Sequence, residues 1–177
     1  MDVQPRPPLL AADKKQLRSA FGSFATGVTV VTVGGDTPHG MTANSFTTVS
    51  LAPPLLAVCV GREAVMHGVL ADTGTFAISV LASHQESVAR YFADKSRPQG
   101  KEQFDFVDWL PGRHTGAPLI VGALAHFECD LWRSYDGGDH TIFLGSLLSM
   151  DRPADEDALV FLNGKFRQID QRSDVRT

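Results

Sequence analysis

Short runs rich in valine, isoleucine, threonine and phenylalanine recur along the chain, each broken off by glycine or proline: GVTVVTVGG, LLAVCVG, TFAISVLA, PLIVGALAHFECDLWRSY, HTIFLGSLLSM and ALVFLNGKFRQI. β-branched and aromatic side chains fit a pleated, half-buried surface, and runs of this length with turn signals between them read as strands. With few helical stretches to cover a parallel sheet, the pattern predicts an antiparallel barrel. The expected fold class is mainly β with flanking helices.

Three stretches carry helical signals. Asp13 caps DKKQLRSAFGSF, with Gln16 three residues on. Leu17, Ala20, Phe21 and Phe24 then fall on one face, and Gly27 ends the helix. Residues 63–72 suit a short helix. SHQESVARYFAD begins with Ser83 as a cap and Glu86 three residues later. HGMTANSFTTVS reads as a strand entering a loop, and Pro53-Pro54 breaks the chain before LLAVCVG.

A length of 177 residues fits one domain. We place it at 13–170, after a flexible arm at 1–12 that holds Pro5, Pro7 and Pro8, and before a polar tail at 171–177. Residues 94–116 are polar, with an aromatic patch at Phe104, Phe106 and Trp109. They read either as a surface excursion carrying a partner or substrate contact, or as a satellite cluster packed on the barrel.

Hydrophobic residues make up 43 % of the chain, enough for a core. Lys and Arg number 16 against 20 Asp and Glu, a net charge of −4. That balance argues against a nucleic-acid surface. No apolar run approaches the roughly 20 residues of a membrane helix, and none of signal-peptide length opens the chain, so a cytoplasmic location is expected. Two cysteines, Cys59 and Cys129, lie in strand-like runs and read as packed thiols.

Familiar catalytic patterns are missing. There is no GxSxG, HExxH, P-loop or GxGxxG, the six histidines are scattered, and the carboxylates show no acid/base pairing. Two clusters stand out. Met41 to Ser50 gathers hydroxyls and an amide among apolar side chains, and could offer donors to an anion or a heterocycle. On the residues alone the better reading is a hydroxyl-rich strand end and turn. Gly137-Gly138-Asp139-His140-Thr141 is likewise a hairpin turn with a half-exposed histidine.

In combination these segments say more. FATGVTVVT, HGMTANSFTTVSLAPPLLAVCVG, TFAISVLA, GGDHTIFLG and LVFLNGKFRQ follow one another in this order from about Asp13 to Ile169. The chain thereby resembles the flavin-reductase-like family, the reductase components of two-component flavin monooxygenases. It is similar to the small NADH:flavin reductases that serve phenol and 4-hydroxyphenylacetate hydroxylases. The resemblance implies an FMN-binding split β-barrel of antiparallel, Greek-key type, as a homodimer. It implies hydride transfer from NADH, with NADPH as the alternative, to FMN or FAD, and delivery of reduced flavin to a partner monooxygenase.

The same resemblance assigns residues. Met41, Thr42, Ala43, Asn44 and Ser45 match the phosphate and ribityl side of the flavin. Thr47, Thr48, Val49, Ser50, Leu51 and Pro54 match the ring side, and Cys59, Val60, Gly61 and Arg62 the adjoining strand end. His140 matches the position beside the nicotinamide, and Asn163, Gly164, Lys165 and Phe166 the C-terminal segment approaching it. Backbone N–H groups from Phe46 to Ser50 are the expected donors to the reduced ring. Many relatives carry a Ser/Thr pair where Ala64 and Met66 stand here, which leaves FMN against FAD open; relatives of the phenol-hydroxylase reductase type have Ala and Met here and use FAD. Arg62 is a candidate for the missing phosphate contact, with Glu63 opposing it. The rival readings are a non-catalytic flavin sensor or electron carrier, and a pyridoxamine-phosphate-oxidase-like oxidase, which would need a basic cluster.

Overall fold

A computed structural model describes residues 13–169, so the expected arm and polar tail lie outside the described residues. The elements run α1 (Lys14–Gly22), β1 (Thr26–Gly27), β2 (Thr29–Val33), β3 (His39–Ala43), β4 (Thr47–Leu51), β5 (Pro54–Gly61), α2 (Val65–Thr73), β6 (Thr75–Val80), α3 (Glu86–Ala93), β7 (Trp109–Pro111), β8 (Pro118–Ile120), β9 (Ala125–Gly137), β10 (His140–Asp151), β11 (Val160–Leu162) and β12 (Lys165–Arg167). Seven strands form one antiparallel sheet in the order β3-β2-β6-β9-β10-β5-β4. Two small sheets, β1-β11-β12 and β7-β8, lie beside it.

Strand β2, next to the β3 edge, reads TVVTV because it is covered on both faces, and all of it is buried. Val31 and Val33 join Val58, Phe76, Ile78 and Phe143 in one cluster, onto which α2 packs Met66 and Leu70. Val28 and Val30, at the alternate positions, join Leu81, Phe92, Phe104, Ile120 and Leu159 in a second cluster under α3. Each such side chain contributes roughly 1.5–3 kcal/mol on full burial.

The sheet is not closed by hydrogen bonds, yet it must curl. β3 and β4 are its two opposite edges, and only Asn44, Ser45 and Phe46 join them. Laid flat, six strand spacings would hold the edges roughly 29 Å apart, whereas the link from Ala43 to Thr47 reaches at most about 14 Å.

Local expectations fared unevenly. Asp13 accepts from the Lys15 amide at 2.9 Å, as a cap should. α1, however, stops at Gly22 rather than running to Gly27, because the Asn163 amide takes the Gly22 carbonyl at 2.7 Å and Ser23 closes the last turn. Its apolar face is not buried: Phe21 is 73 % and Phe24 77 % exposed. The third helix begins at Glu86, not after Ser83. The Gln85 side chain reaches back to the Ala82 amide at 3.0 Å, and Ser83 opens a preceding 3₁₀ turn. In the 94–116 stretch Phe104 is buried in the second core cluster against Phe92, with Trp109 at its edge, whereas Phe106 stays exposed and stacks on Tyr91, so one ring of this aromatic patch joins the core and two remain at the surface. Cys129 is buried in the core, which pushes its thiol up to about 12, and Cys59 is half-buried; both are free.

Candidate functional site

The short link between the sheet edges positions the first group of site residues. Ser45 Oγ donates to the Cys59 carbonyl at 2.9 Å and accepts from the Cys59 amide at 3.1 Å. This one hydroxyl staples the β3 end to β5 where no ladder does. Thr42 Oγ1 donates to the Ala89 carbonyl of α3 at 2.7 Å. Phe46 turns inward and stacks on Phe127, with ring centroids 5.7 Å apart. Beyond it β4 pairs with β5 alone and is otherwise an open edge, with Thr47, Thr48, Val49 and Leu51 exposed and Ser50 half-buried. An edge strand presents unpaired N–H and C=O groups, the donors expected here.

The second group lies at the far end of β5. Thr141 and Val60 pair across the β5–β10 ladder with their side chains in the core, so Cys59, Gly61, Ile142 and His140 share the opposite face. His140 pairs with Gly61, and its Nε2 lies 3.6 Å from where a Gly61 side chain would begin. Its Nδ1 is 2.7 Å from Asp139 Oδ1, and that contact holds the exposed Asp139 carboxyl below its usual range. Arg62 is engaged by the same hairpin: Nε donates to the Gly138 carbonyl at 2.9 Å and Nη2 pairs with Asp136 at 3.0 Å. Its charge is directed to the β9–β10 turn.

The third group is the tip of the β11–β12 hairpin. Asn163 and Gly164, with φ of 52° and 73°, form its two-residue turn. Phe166 packs edge-on against Phe161 at 5.3 Å. Asn44 faces this hairpin across two cavities. One, of about 130 Å³, has Asn44, Thr42 and Phe166 in its walls; the other, of about 340 Å³, has Asn44, Gly164, Phe21 and Phe24. The structure thus brings Asn44 together with residues 163–166, and Ser45 together with Cys59, Gly61 and His140. The cavities that Asn44 lines do not include His140; the two groups meet through the Asn44–Ser45 peptide and β5.

A third cavity, of about 290 Å³, lies between Met41 and Thr42, the start of α2 at Ala64 and Val65, and residues 92–99. It contains Arg97 and His39, which the sequence reading passed over. An arginine in a polar, proline-punctuated stretch carries no mark of burial, yet Arg97 is 9 % and His39 5 % exposed. Burial, then the charge of Arg97, pushes His39 down to about 4. Arg97 Nη2 lies 3.3 Å from His39 Nε2.

The family described as "Flavin reductase like domain" matches residues 21–170. The chain is 58 % identical over 157 residues to a Streptomyces globisporus protein named NADH-dependent FAD reductase, covering 89 % of this chain and 86 % of that protein. Among solved structures it is similar to BorF, the flavin reductase component of a bacterial two-component tryptophan halogenase. There the TM-score is 0.87 at 57 % identity, over 90 % of this chain and 100 % of that one. It is equally similar to the Streptomyces globisporus C-1027 NADH:FAD oxidoreductase SgcE6 in complex with NAD and FAD fragments, with TM-score 0.87, 55 % identity and coverage of 92 % and 96 %. On a match spanning most of its length, and with relatives this close, the chain belongs to the flavin-reductase-like family.

Proposed function

We propose that this chain is an NADH-dependent flavin reductase that reduces FAD or FMN and passes the reduced flavin to a partner monooxygenase component. The observation that carries this is the Asn44–Phe46 link. It joins the two edges of the curled sheet, fixes Ser45 to Cys59, two residues from the Gly61 that pairs with His140, and leads from there into the open β4 edge, which pairs with the first half of β5. An open strand edge gives N–H donors to a flat, electron-accepting ring, and the apolar cavities beside Asn44 and Phe166 give it walls, so the residues fit a flavin nucleotide. The curled, unclosed sheet is read as the split β-barrel of the family.

The bound cofactors supply the hydride chemistry. This chain holds them in register, and the β4 edge offers donors to charge as it develops. His140 orients the nicotinamide through Nε2, which lies over Gly61 while Nδ1 is engaged by Asp139. The relatives' names favour FAD and NADH for this chain also. A second copy of the chain is proposed to cover exposed apolar side chains such as Leu51, at 95 %, and Met150, at 73 %. A cytoplasmic location suits a reductase drawing on NADH.

The test is consumption of NADH in air with added FAD or FMN, repeated with NADPH. Rapid consumption that depends on added flavin is expected; a tightly held flavin that NADH leaves oxidised would instead make the chain a sensor. His140→Ala is expected to raise KM for NADH roughly tenfold while kcat falls less. The reverse split would give His140 a role in the chemical step.

A further inference from the structure

His140 is the first residue of β10, directly after the Gly137-Gly138-Asp139 turn. Its partners across both ladders are glycines, Gly61 on β5 and Gly137 on β9. No side chain therefore stands directly opposite the imidazole on either strand, and such cross-strand pairs are what usually steady a residue on a sheet. Asp139 engages Nδ1 at 2.7 Å, but its carboxylate is exposed and belongs to the same turn. Arg62 grips that turn from outside, through the Gly138 carbonyl and Asp136, and exposed ion pairs hold weakly. The place of the ring then depends on the β10 backbone beneath it.

That backbone is held from the core face. Thr141 and Phe143 alternate with His140 and Ile142, so their side chains turn inward, and both are buried. His67 of α2 meets the two of them. Its Nε2 lies 2.8 Å from Thr141 Oγ1, and its ring stands edge-on to Phe143 with centroids 5.4 Å apart. The helix carrying it is itself pinned, because Met66 and Leu70 are buried in the first core cluster. A hydroxyl inside an apolar cluster costs free energy unless it is bonded, and valine would fill the same volume without that cost. The buried hydroxyl at Thr141 is matched to a histidine 74 residues away in sequence.

We infer that His67 is a positioning residue for the reductase reaction: through Thr141 it fixes the start of β10, and so where the His140 ring meets the nicotinamide. The inference rests on the reading of His140 as the group that orients the nicotinamide. Without the bond to His67 the strand start shifts between its two glycine partners, and the ring is in place in only a fraction of molecules. Apparent affinity for NADH falls with that fraction, whereas hydride transfer between rings already stacked does not.

Steady-state oxidation of NADH by the full chain with added FAD tests it. Thr141→Val and His67→Leu are each expected to raise KM for NADH roughly fivefold, with kcat and KM for FAD within about twofold of the parent. The double variant is expected to lose no more than either single one, because both remove the same contact. Thr141→Ser keeps the hydroxyl, and His67→Gln places an amide near the position of Nε2, so both are expected to restore the parent KM. In a His140→Ala background, His67→Leu is expected to add nothing. Thermal melts accompany the kinetics, since a purely structural bond would lower Tm and leave KM unchanged. An unchanged KM for NADH in both single variants, a fall in kcat in place of the rise in KM, or a full fivefold loss on top of His140→Ala overturns the inference. An unchanged KM in His140→Ala overturns the reading of His140 on which it rests, and a parent chain with no flavin-dependent NADH oxidation overturns the reductase reading.

Discussion

Among the described residues, Glu128 and Arg97 are both buried ions without a counter-ion, and the chain treats them differently. Glu128, 4 % exposed, faces a full set of donors. Its Oε2 accepts from the His114 amide, the Thr115 amide and the Thr115 hydroxyl at 2.8–2.9 Å, and its Oε1 from the Ser149 hydroxyl at 2.9 Å. It fastens the 112–116 loop to β9 and β10. Arg97 spends its donors on two carbonyls and the His39 ring and leaves Nε without a partner. An ion kept to hold a loop is saturated by the protein itself. An ion left one donor short, in the wall of a cavity, is a place kept for something else.

The largest expected effect comes from breaking the saturated end. Glu128→Leu strands two amides and two hydroxyls and is expected to destabilise the fold by about 3–5 kcal/mol in urea unfolding. A loss under about 1 kcal/mol would mean that water replaces the carboxylate freely, and the contrast with Arg97 would collapse.

Acid sharpens the comparison next. His39 titrates near 4 in the fold against an ordinary 6.5, through burial first and Arg97 second. The unfolded chain takes up that proton earlier than the folded one. Stability from this group is complete above pH 6.5 and is lost as pH falls through 4, by at most about 3 kcal/mol. Glu128 acts at lower pH: burial alone would raise it, but the hydrogen bonds from Thr115, His114 and Ser149 outweigh burial and hold it below 4.5, so its share is lost further into acid. Unfolding midpoints measured from pH 7 to 4 are expected to fall for the parent and to flatten in His39→Asn. Parallel slopes would show that His39 is not held neutral beside Arg97.

A smaller effect is expected at Gly112, where an added Cβ would meet Glu128 Oε2 at 2.4 Å and Thr115 Oγ1 at 2.9 Å. Gly112→Ala pushes on a tight cage and should cost about 2 kcal/mol. A neutral result would make the Glu128 loop as loose as the Arg97 pocket.

The sequence carried most strand runs and the Gly137-Gly138 hairpin turn, because β-rich runs and Gly-Gly-Asp turns are local signals, but it read ALVFLNGKFRQI as one run where Asn163 and Gly164 turn β11 into β12. It also marked Met41–Ser50 and His140, which the fold links through β5: Ser45 bonds to Cys59, and His140 pairs with Gly61. The length of α1 was not legible: its end is set by Asn163 on a distant hairpin. Nor was Arg97, since burial of a loop arginine depends on Gln103. That side chain, fully buried, accepts from the Gly40 amide at 2.9 Å and donates to the Pro38 and Gly100 carbonyls at 2.9 and 2.8 Å. It pulls the polar stretch onto β3 through contacts more than sixty residues apart in sequence.

The smallest expected change is also the most telling. Arg97→Met keeps an unbranched stem of similar reach while removing the charge. It gives up hydrogen bonds to the Gly40 and Asp94 carbonyls, and it also removes the burden of an uncompensated buried cation. Those terms oppose each other, so the net change in unfolding free energy is expected to stay within about 1 kcal/mol. The difference should emerge only with ligand present. At a concentration of FAD about 100 times its Kd, the parent gains about 2.7 kcal/mol by mass action, and Arg97→Met, with a weaker site beside the proposed flavin cavity, is expected to gain markedly less at the same concentration. Were Arg97→Met instead to cost as much as Glu128→Leu with no ligand added, the two ions would be doing the same structural work, and Arg97 would lose its claim to be held in reserve.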